Sequence, residues 1–159
     1  YEAQFEKHTS NAIQAQDLKE AFLADIDNDT AAFNAIMDAM KLPKKTDADK
    51  AARQHAMTEA TRLAIQIPLR VLERSVRAMA CAEIAATGNR NARSDAGVAA
   101  LTAKAAAEGA YYNVLINLDG FADQAYADEA TRRAENALQE VTERTENLTA
   151  TIREQLRTS

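Results

Sequence analysis

The sequence predicts an all-α protein, and three observations carry that prediction. Alanine occupies 36 of 159 positions, and Ala has the highest helix propensity because it loses no side-chain freedom on folding. Glycine and proline, the strongest breakers, number only 4 and 2, so long stretches run without punctuation. Apolar residues recur at intervals of three and four, and nowhere do β-branched and aromatic residues alternate with period two for long enough to make a sheet. Long helices joined by short connections make an antiparallel up-down bundle. No internal repeat, low-complexity tract or linker divides the chain, whose length suits one domain with its own core.

Four helices are expected. The first runs from about Asn11 to Met40, or from nearer Tyr1, with a stripe of Leu18, Phe22, Ile26, Phe33, Ile36 and Met40 at packed-seam spacing. Leu42-Pro43 ends it, since a residue before proline is pushed out of the helical region. The second runs from about Asp47 to Ala86. Ile65, Leu69, Leu72, Val76 and Met79 form one stripe on it and Ala60, Ala64, Ile67 and Val71 another, so it is expected to be buried on two sides. Pro68 removes one internal hydrogen bond, which predicts a kink or short break. Gly88-Asn89-Arg90-Asn91 reads as a stop and loop. Ser94 is the expected N-cap of a third helix to about Leu118, and Asp119-Gly120 is the next turn. The last helix, from about Phe121 to Leu156, carries Ala134, Leu138, Val141, Thr145, Leu148 and Ile152 at heptad spacing.

Bulk charge narrows the function. A net charge of -5 argues against nucleic acid as the main partner, because phosphate binding wants a basic face. No apolar run approaches the roughly 20 residues that span a bilayer. Cys81 is the one cysteine, and His8 and His55 are few and far apart, so neither a disulfide framework nor a metal site is expected. These features fit a cytoplasmic protein. A start at Tyr1 without Met is expected of a chain whose N-terminal part lies elsewhere.

The informative anomaly is Asp29. The first helix's seam reads Phe22, Ile26, Asp29, Phe33, Ile36, Met40, which puts a carboxylate at a core position. An ionised carboxylate buried without a partner is costly, so its pKa rises or it finds a donor. A carboxyl with a raised pKa is what acid-base catalysis near neutrality needs. The plainer alternatives are a structural Asp with a satisfied partner and an Asp turned to solvent. Asp25, one turn earlier, either couples to Asp29 or is solvated. Glu108 likewise falls on a face shared by Val98, Leu101, Ala105, Tyr112, Leu115 and Ile116; a packed stem with its head on a basic partner is the plain account.

The third helix has a second face of small or polar residues, Asp95, Ala99, Thr102, Ala106, Gly109, Asn113 and Asn117. Such a strip lets a helix or a ligand approach closely. Asp95 and Asn113 are about 27 Å apart along a helix and cannot share one reacting centre, whereas Asn113 and Asn117 can. Basic residues gather at Lys41, Lys44, Lys45, Lys50 and Arg53, and again at Arg90 and Arg93. They are either solvated loop charges or a collar for an anionic substrate.

Three stretches together resemble the cyclodeaminase domain of formiminotransferase-cyclodeaminase and the related methenyltetrahydrofolate cyclohydrolases. They are Asp27 to Phe33 running into Met40 to Thr46, then Gly88 to Val98, then Gly109 to Leu118. The resemblance implies an all-α homodimer with a tetrahydrofolate derivative, polyglutamylated in some cases, bound at the subunit interface, and no tightly bound cofactor. It places the catalytic carboxylate on the second Asp of a D-x-D-x-x-A-F pattern, here Asp29, the residue the seam argument also selects. The family further implies two leading helices and a glycine-rich segment that this chain does not contain. The implied reaction converts 5-formimino-tetrahydrofolate to the 5,10-methenyl compound and ammonia, as in histidine degradation. On that reading Asn113 and Asn117 hold the pterin or amidine, the lysine-rich connection with Lys44 and Lys45 meets the glutamate tail, and Asp95 and Arg93 complete the binding set. The alternatives are hydrolysis of the 5,10-methenyl compound, served by the same carboxylate, and a non-catalytic helical scaffold.

Overall fold

A computed structural model of the chain describes residues 2–158. Within them lie four long helices and no strand: α1 (Glu2–Lys41), α2 (Asp47–Ala86), α3 (Arg93–Leu118) and α4 (Gln124–Arg157), with one turn of 3-10 helix at Arg90–Ala92. The all-α prediction holds. Helix α1 is already formed at Glu2; Tyr1 lies outside the described residues.

Local chemistry sets most of the ends. Thr46 and Asp49 form a reciprocal capping box at the start of α2, satisfying two backbone donors that a helix N-terminus leaves open. Asp123 accepts from the Tyr126 N–H at the start of α4, so that helix begins three residues later than Phe121. Ser94 is not a cap: the 3-10 turn, capped by the Asn89 side chain, runs directly into α3. Gly120 takes the turn after α3 with φ of 71°, where a side chain would strain the backbone. Gly88 has no such φ. It is small for another reason, since a Cβ there would lie 3.0 Å from the His8 ring.

Helices α2, α3 and α4 pack together around Ile65, Leu69, Leu72, Ala107, Val114, Ala134 and Val141, and a second cluster joins Met79, Ala82 and Ala100. Each fully buried large side chain contributes about 1.5–3 kcal/mol. The predicted stripes of α2 and α4 are therefore the packed faces. Alanines line the inner face of α3, at Ala96, Ala100, Ala103, Ala107 and Ala110, and let it approach α2 and α4 closely.

Helix α1 packs on α2 alone among the long helices. Its buried residues are Asn11, Leu18, Asp25, Ala32 and Ala39, one every seven positions. This corrects the predicted seam. Phe22 is half-buried, while Ile26, Phe33 and Met40 are 63%, 61% and 49% exposed, and Asp29 between them is exposed as well. Leu18 of the predicted stripe is buried and Ile36 packs partly on Ala32, Ala64 and Ile67, but Ile26, Asp29, Phe33 and Met40 are left open by the described residues. The larger apolar face of α3 is open too, with Val98, Leu101, Tyr112 and Ile116 exposed and Glu108 in solvent among them.

Of the kink or short break expected at Pro68, the break does not occur, because α2 runs through it as one helix. The carbonyl its missing N–H abandons is that of Ala64, four residues back. Asn117 of α3 donates its side-chain N–H to that oxygen at 2.9 Å. A borrowed donor thus replaces the lost hydrogen bond.

Candidate functional site

Because α1 and α3 both lie on α2 without touching each other, a groove of about 1080 Å³ remains between them. Its floor is α2, at Ile67, Pro68, Val71 and Cys81. One wall is the open stripe of α1, with Phe22, Ile26, Asp29 and Thr30. The other is the small-residue strip of α3, of which Ala99, Thr102, Ala106, Gly109 and Asn113 line the groove. The strip therefore borders open space instead of packing against a helix.

Asp29 and Asn113 belong to the same part of the groove. Ala32, one turn beyond Asp29, packs on Ala64 and Ile67, and Asn117, one turn beyond Asn113, is bonded to Ala64. Both walls are thus pinned to the same stretch of α2, beside Pro68. The Asn113 amide N–H₂ bonds back to Gly109 O at 3.0 Å, which leaves its carbonyl oxygen available as an acceptor. Asn117, by contrast, has its donor committed to the α2 backbone.

The remaining predicted binding residues are not brought to this place. Asp95 is exposed beyond the end of the groove-lining strip, and Lys44 and Lys45 stand exposed in the connection between α1 and α2, outside the groove lining. Arg93 is half-buried at the start of α3, its Nε without a hydrogen-bond partner among the described residues. Cys81, on the floor, has its thiol pKa raised by burial, with Arg77 opposing weakly. No group of His, Cys, Asp and Glu among the described residues is arranged to hold a metal, and no described helix is long and apolar enough to cross a membrane.

The sequence reading missed one residue of this region. Asp25 is 3% exposed, lines the groove, and is clamped from α2. Arg70 donates to its Oδ1 at 3.0 Å, and Arg74 pairs with its Oδ2. Burying a carboxylate is tolerable when it is paired and hydrogen-bonded in this way. The available signals were its place in the seven-residue repeat of α1 and the i, i+4 spacing of the two arginines.

Fold and groove together define a class: an all-helical bundle with a small-molecule-sized cleft between helices, mostly apolar with a few polar groups. The chain belongs to the formiminotransferase-cyclodeaminase family, whose profile matches residues 1–136. It is 37% identical over 141 residues to a methenyltetrahydrofolate cyclohydrolase of Methylorubrum extorquens, covering 88% of this chain and 68% of that protein. It is 42% identical over 117 residues to the formimidoyltransferase-cyclodeaminase of Sus scrofa, covering 72% of this chain and 21% of that protein. The Mus musculus formimidoyltransferase-cyclodeaminase is 37% identical over 116 residues, with 21% of its length covered.

Proposed function

We propose that this chain supplies the folate site of a one-carbon enzyme that closes the 5,10-methenyl bridge of tetrahydrofolate from the 5-formimino compound, releasing ammonia. The observation that carries this reading is the groove itself: a mostly apolar slot in which Asp25 is paired with Arg70 and Arg74 and Asn11 is bonded to Cys81 O, while the carboxylate of Asp29 and the carboxamide of Asn113 stand on opposite walls. A folate's flat rings suit apolar walls, and its polar edges need a few placed partners.

In the reaction, N10 attacks the amidinium carbon and a new C–N bond forms. One proton then passes from N10 to the former amidine nitrogen, whose bond to carbon breaks as ammonia leaves. A carboxylate that takes the first proton and delivers it to the departing nitrogen serves both halves. As an anion it also stabilises the methenyl cation as that develops. Asp29 has this role, Asn113 orients the pterin or amidine, and the exposed Lys44 and Lys45 attract the glutamate tail by charge.

Water exclusion from the groove falls to a second copy of the chain. The chain exposes 9962 Å², whereas a folded monomer of 17.3 kDa is expected to expose about 7,800 Å². The excess is about 2,100 Å² per chain, or about 4,200 Å² over two copies, which falls in the range of obligate homodimer interfaces. Most of the exposed large apolar side chains lie on α1 and α3, among them Ile26, Phe33, Val98, Leu101 and Ile116. These features support a homodimer with the site at its interface. Contacts between early α1 and late α2, such as Asn11 to Cys81 O at 3.0 Å, support the antiparallel up-down arrangement.

Hydrolysis of the 5,10-methenyl compound is the second reading, favoured by the longer alignment with the Methylorubrum cyclohydrolase. There water attacks the methenyl carbon and the same carboxylate takes its proton. Assaying both substrates, with binding measured by calorimetry, separates the two. Asp29→Asn is expected to lower turnover at least 10²-fold, the range for a lost acid-base group, with helicity unchanged. Near-normal turnover in that variant, or no folate binding by a dimeric parent, would sink the assignment.

A further inference from the structure

Helix α1 carries Asp29 but is held by little that would keep it in register. Among the described residues its only long-helix neighbour is α2, and its buried seam holds one large apolar residue, Leu18, among Asn11, Asp25, Ala32 and Ala39, with Ile36 packed partly beside it. Alanine contacts are smooth and oppose sliding weakly, because register along a helix is set by side chains that interlock. Directional contacts do interlock. The densest set between the two helices lies one turn from Asp29: Arg70 to Asp25 Oδ1, Arg74 to Asp25 Oδ2, and Arg74 to Ala21 O at 3.2 Å.

We propose that Asp25, held by Arg70 and Arg74, is the positioning residue that fixes where α1 presents Asp29 along the groove, opposite Asn113. The proposal rests on the folate reading only for its consequence in turnover; the clamp itself is a statement about α1. A slip by one helical turn moves a side chain about 5.4 Å along the axis, which takes Asp29 away from the Pro68 stretch where Asn113 is pinned. A carboxylate is the fitting anchor because each of its oxygens faces a different guanidinium, Oδ1 accepting from Arg70 and Oδ2 ion-paired with Arg74, and both contacts are lost if it shifts.

The test uses the whole chain in a Cys81→Ala background, spin-labelled at cysteines replacing the exposed Asp27 on α1 and Glu108 on α3, and diluted into unlabelled protein so that distances within one chain dominate. Pulsed electron resonance then reads the α1–α3 separation. In the parent a single narrow distribution is expected; in Asp25→Asn its width at least doubles or a second distance appears, while circular dichroism keeps its helical amplitude. Should Asp25→Asn fail to fold, Arg70→Gln, which leaves the Arg74 pair in place, is expected to broaden the distribution by a smaller amount. An unchanged distribution in both variants overturns the proposal. On turnover, kcat at saturating substrate well below the melting temperature is expected to fall about tenfold with KM within twofold, a split that mere loss of stability would not give. Wild-type kcat in a folded Asp25→Asn protein also overturns it. Absence of turnover in the parent counts against the folate reading, and the distance measurement then decides the clamp by itself.

Discussion

Asn117 and Pro68 form a pair whose energetic coupling is open to direct measurement. Pro68 leaves the Ala64 carbonyl without its helical donor, and Asn117 supplies one at 2.9 Å. Ala64 is only 6% exposed, so water is poorly placed to substitute. Replacing Asn117 with Ala strands that oxygen, at a cost of about 1–3 kcal/mol. For a chain this size each 1 kcal/mol lowers the melting temperature by about 2–4 °C. Pro68→Ala restores an N–H at the position that serves Ala64 O. In that background Asn117→Ala is expected to cost less than about 0.5 kcal/mol, since the oxygen keeps a partner. The double-mutant cycle therefore predicts a coupling of at least about 0.5 kcal/mol. Urea unfolding followed at 222 nm, at one fixed protein concentration because association alters apparent stability, gives all four values. Equal costs of Asn117→Ala in the two backgrounds, within about 0.3 kcal/mol, would refute the account of the unbroken helix.

Three further outcomes are expected. Phe33→Ser, at a residue 61% exposed, should change monomer stability by less than about 0.5 kcal/mol yet abolish dimer formation in sedimentation equilibrium; an unaltered dimer would remove α1's open face from the interface. The pKa of Asp123 is lowered, first by the Tyr126 N–H and then by Arg62. Its charge therefore stabilises the fold fully above its ordinary value of 3.8 and less as pH falls through the lowered one. Melting curves of the parent and Asp123→Asn should converge in that acid range, and a difference that does not vary with pH would contradict the assignment. The Cys81 thiol, its pKa raised by burial, should react with Ellman's reagent far more slowly than a free cysteine until urea is added; a rate equal to that of free cysteine would show that the floor of the groove is open.

The parts of this structure that were legible in the sequence are those where the packed face is also the face with large apolar residues. On α2 and α4 the two coincide, so Ile65, Leu72, Val141 and Ile152 declared both the helix and its buried side. On α1 and α3 they diverge. There the packing residues are mostly alanines, with Asn11, Asp25 and Gly97 and only two large apolar side chains, Leu18 and Val114, while Ile26, Phe33, Val98 and Ile116 lie open. A reading by hydrophobic period follows the large residues and so selects the wrong face as buried. Asp29 was found because it interrupts that face, yet its burial was misjudged because α1 turns its Asn11-Asp25-Ala39 face, not this one, toward α2. Asp25 and the unbroken Pro68 helix were illegible for a different reason. Their partners lie 45 and 53 residues away in sequence, and only the assembled fold brings them together.

Gly109 has a consequence for engineering. It sits inside α3, where Ala would favour the helix by about 1 kcal/mol, and a Cβ built there would meet nothing within 4 Å. By local rules the exchange to alanine is an easy thermostabilising step. The added methyl, however, would project into the groove next to Asn113, into room that the proposed folate would need. Stability and occupancy are thus opposed at one atom, and a library selected for heat resistance alone would drift toward a sturdier helix and a narrower berth.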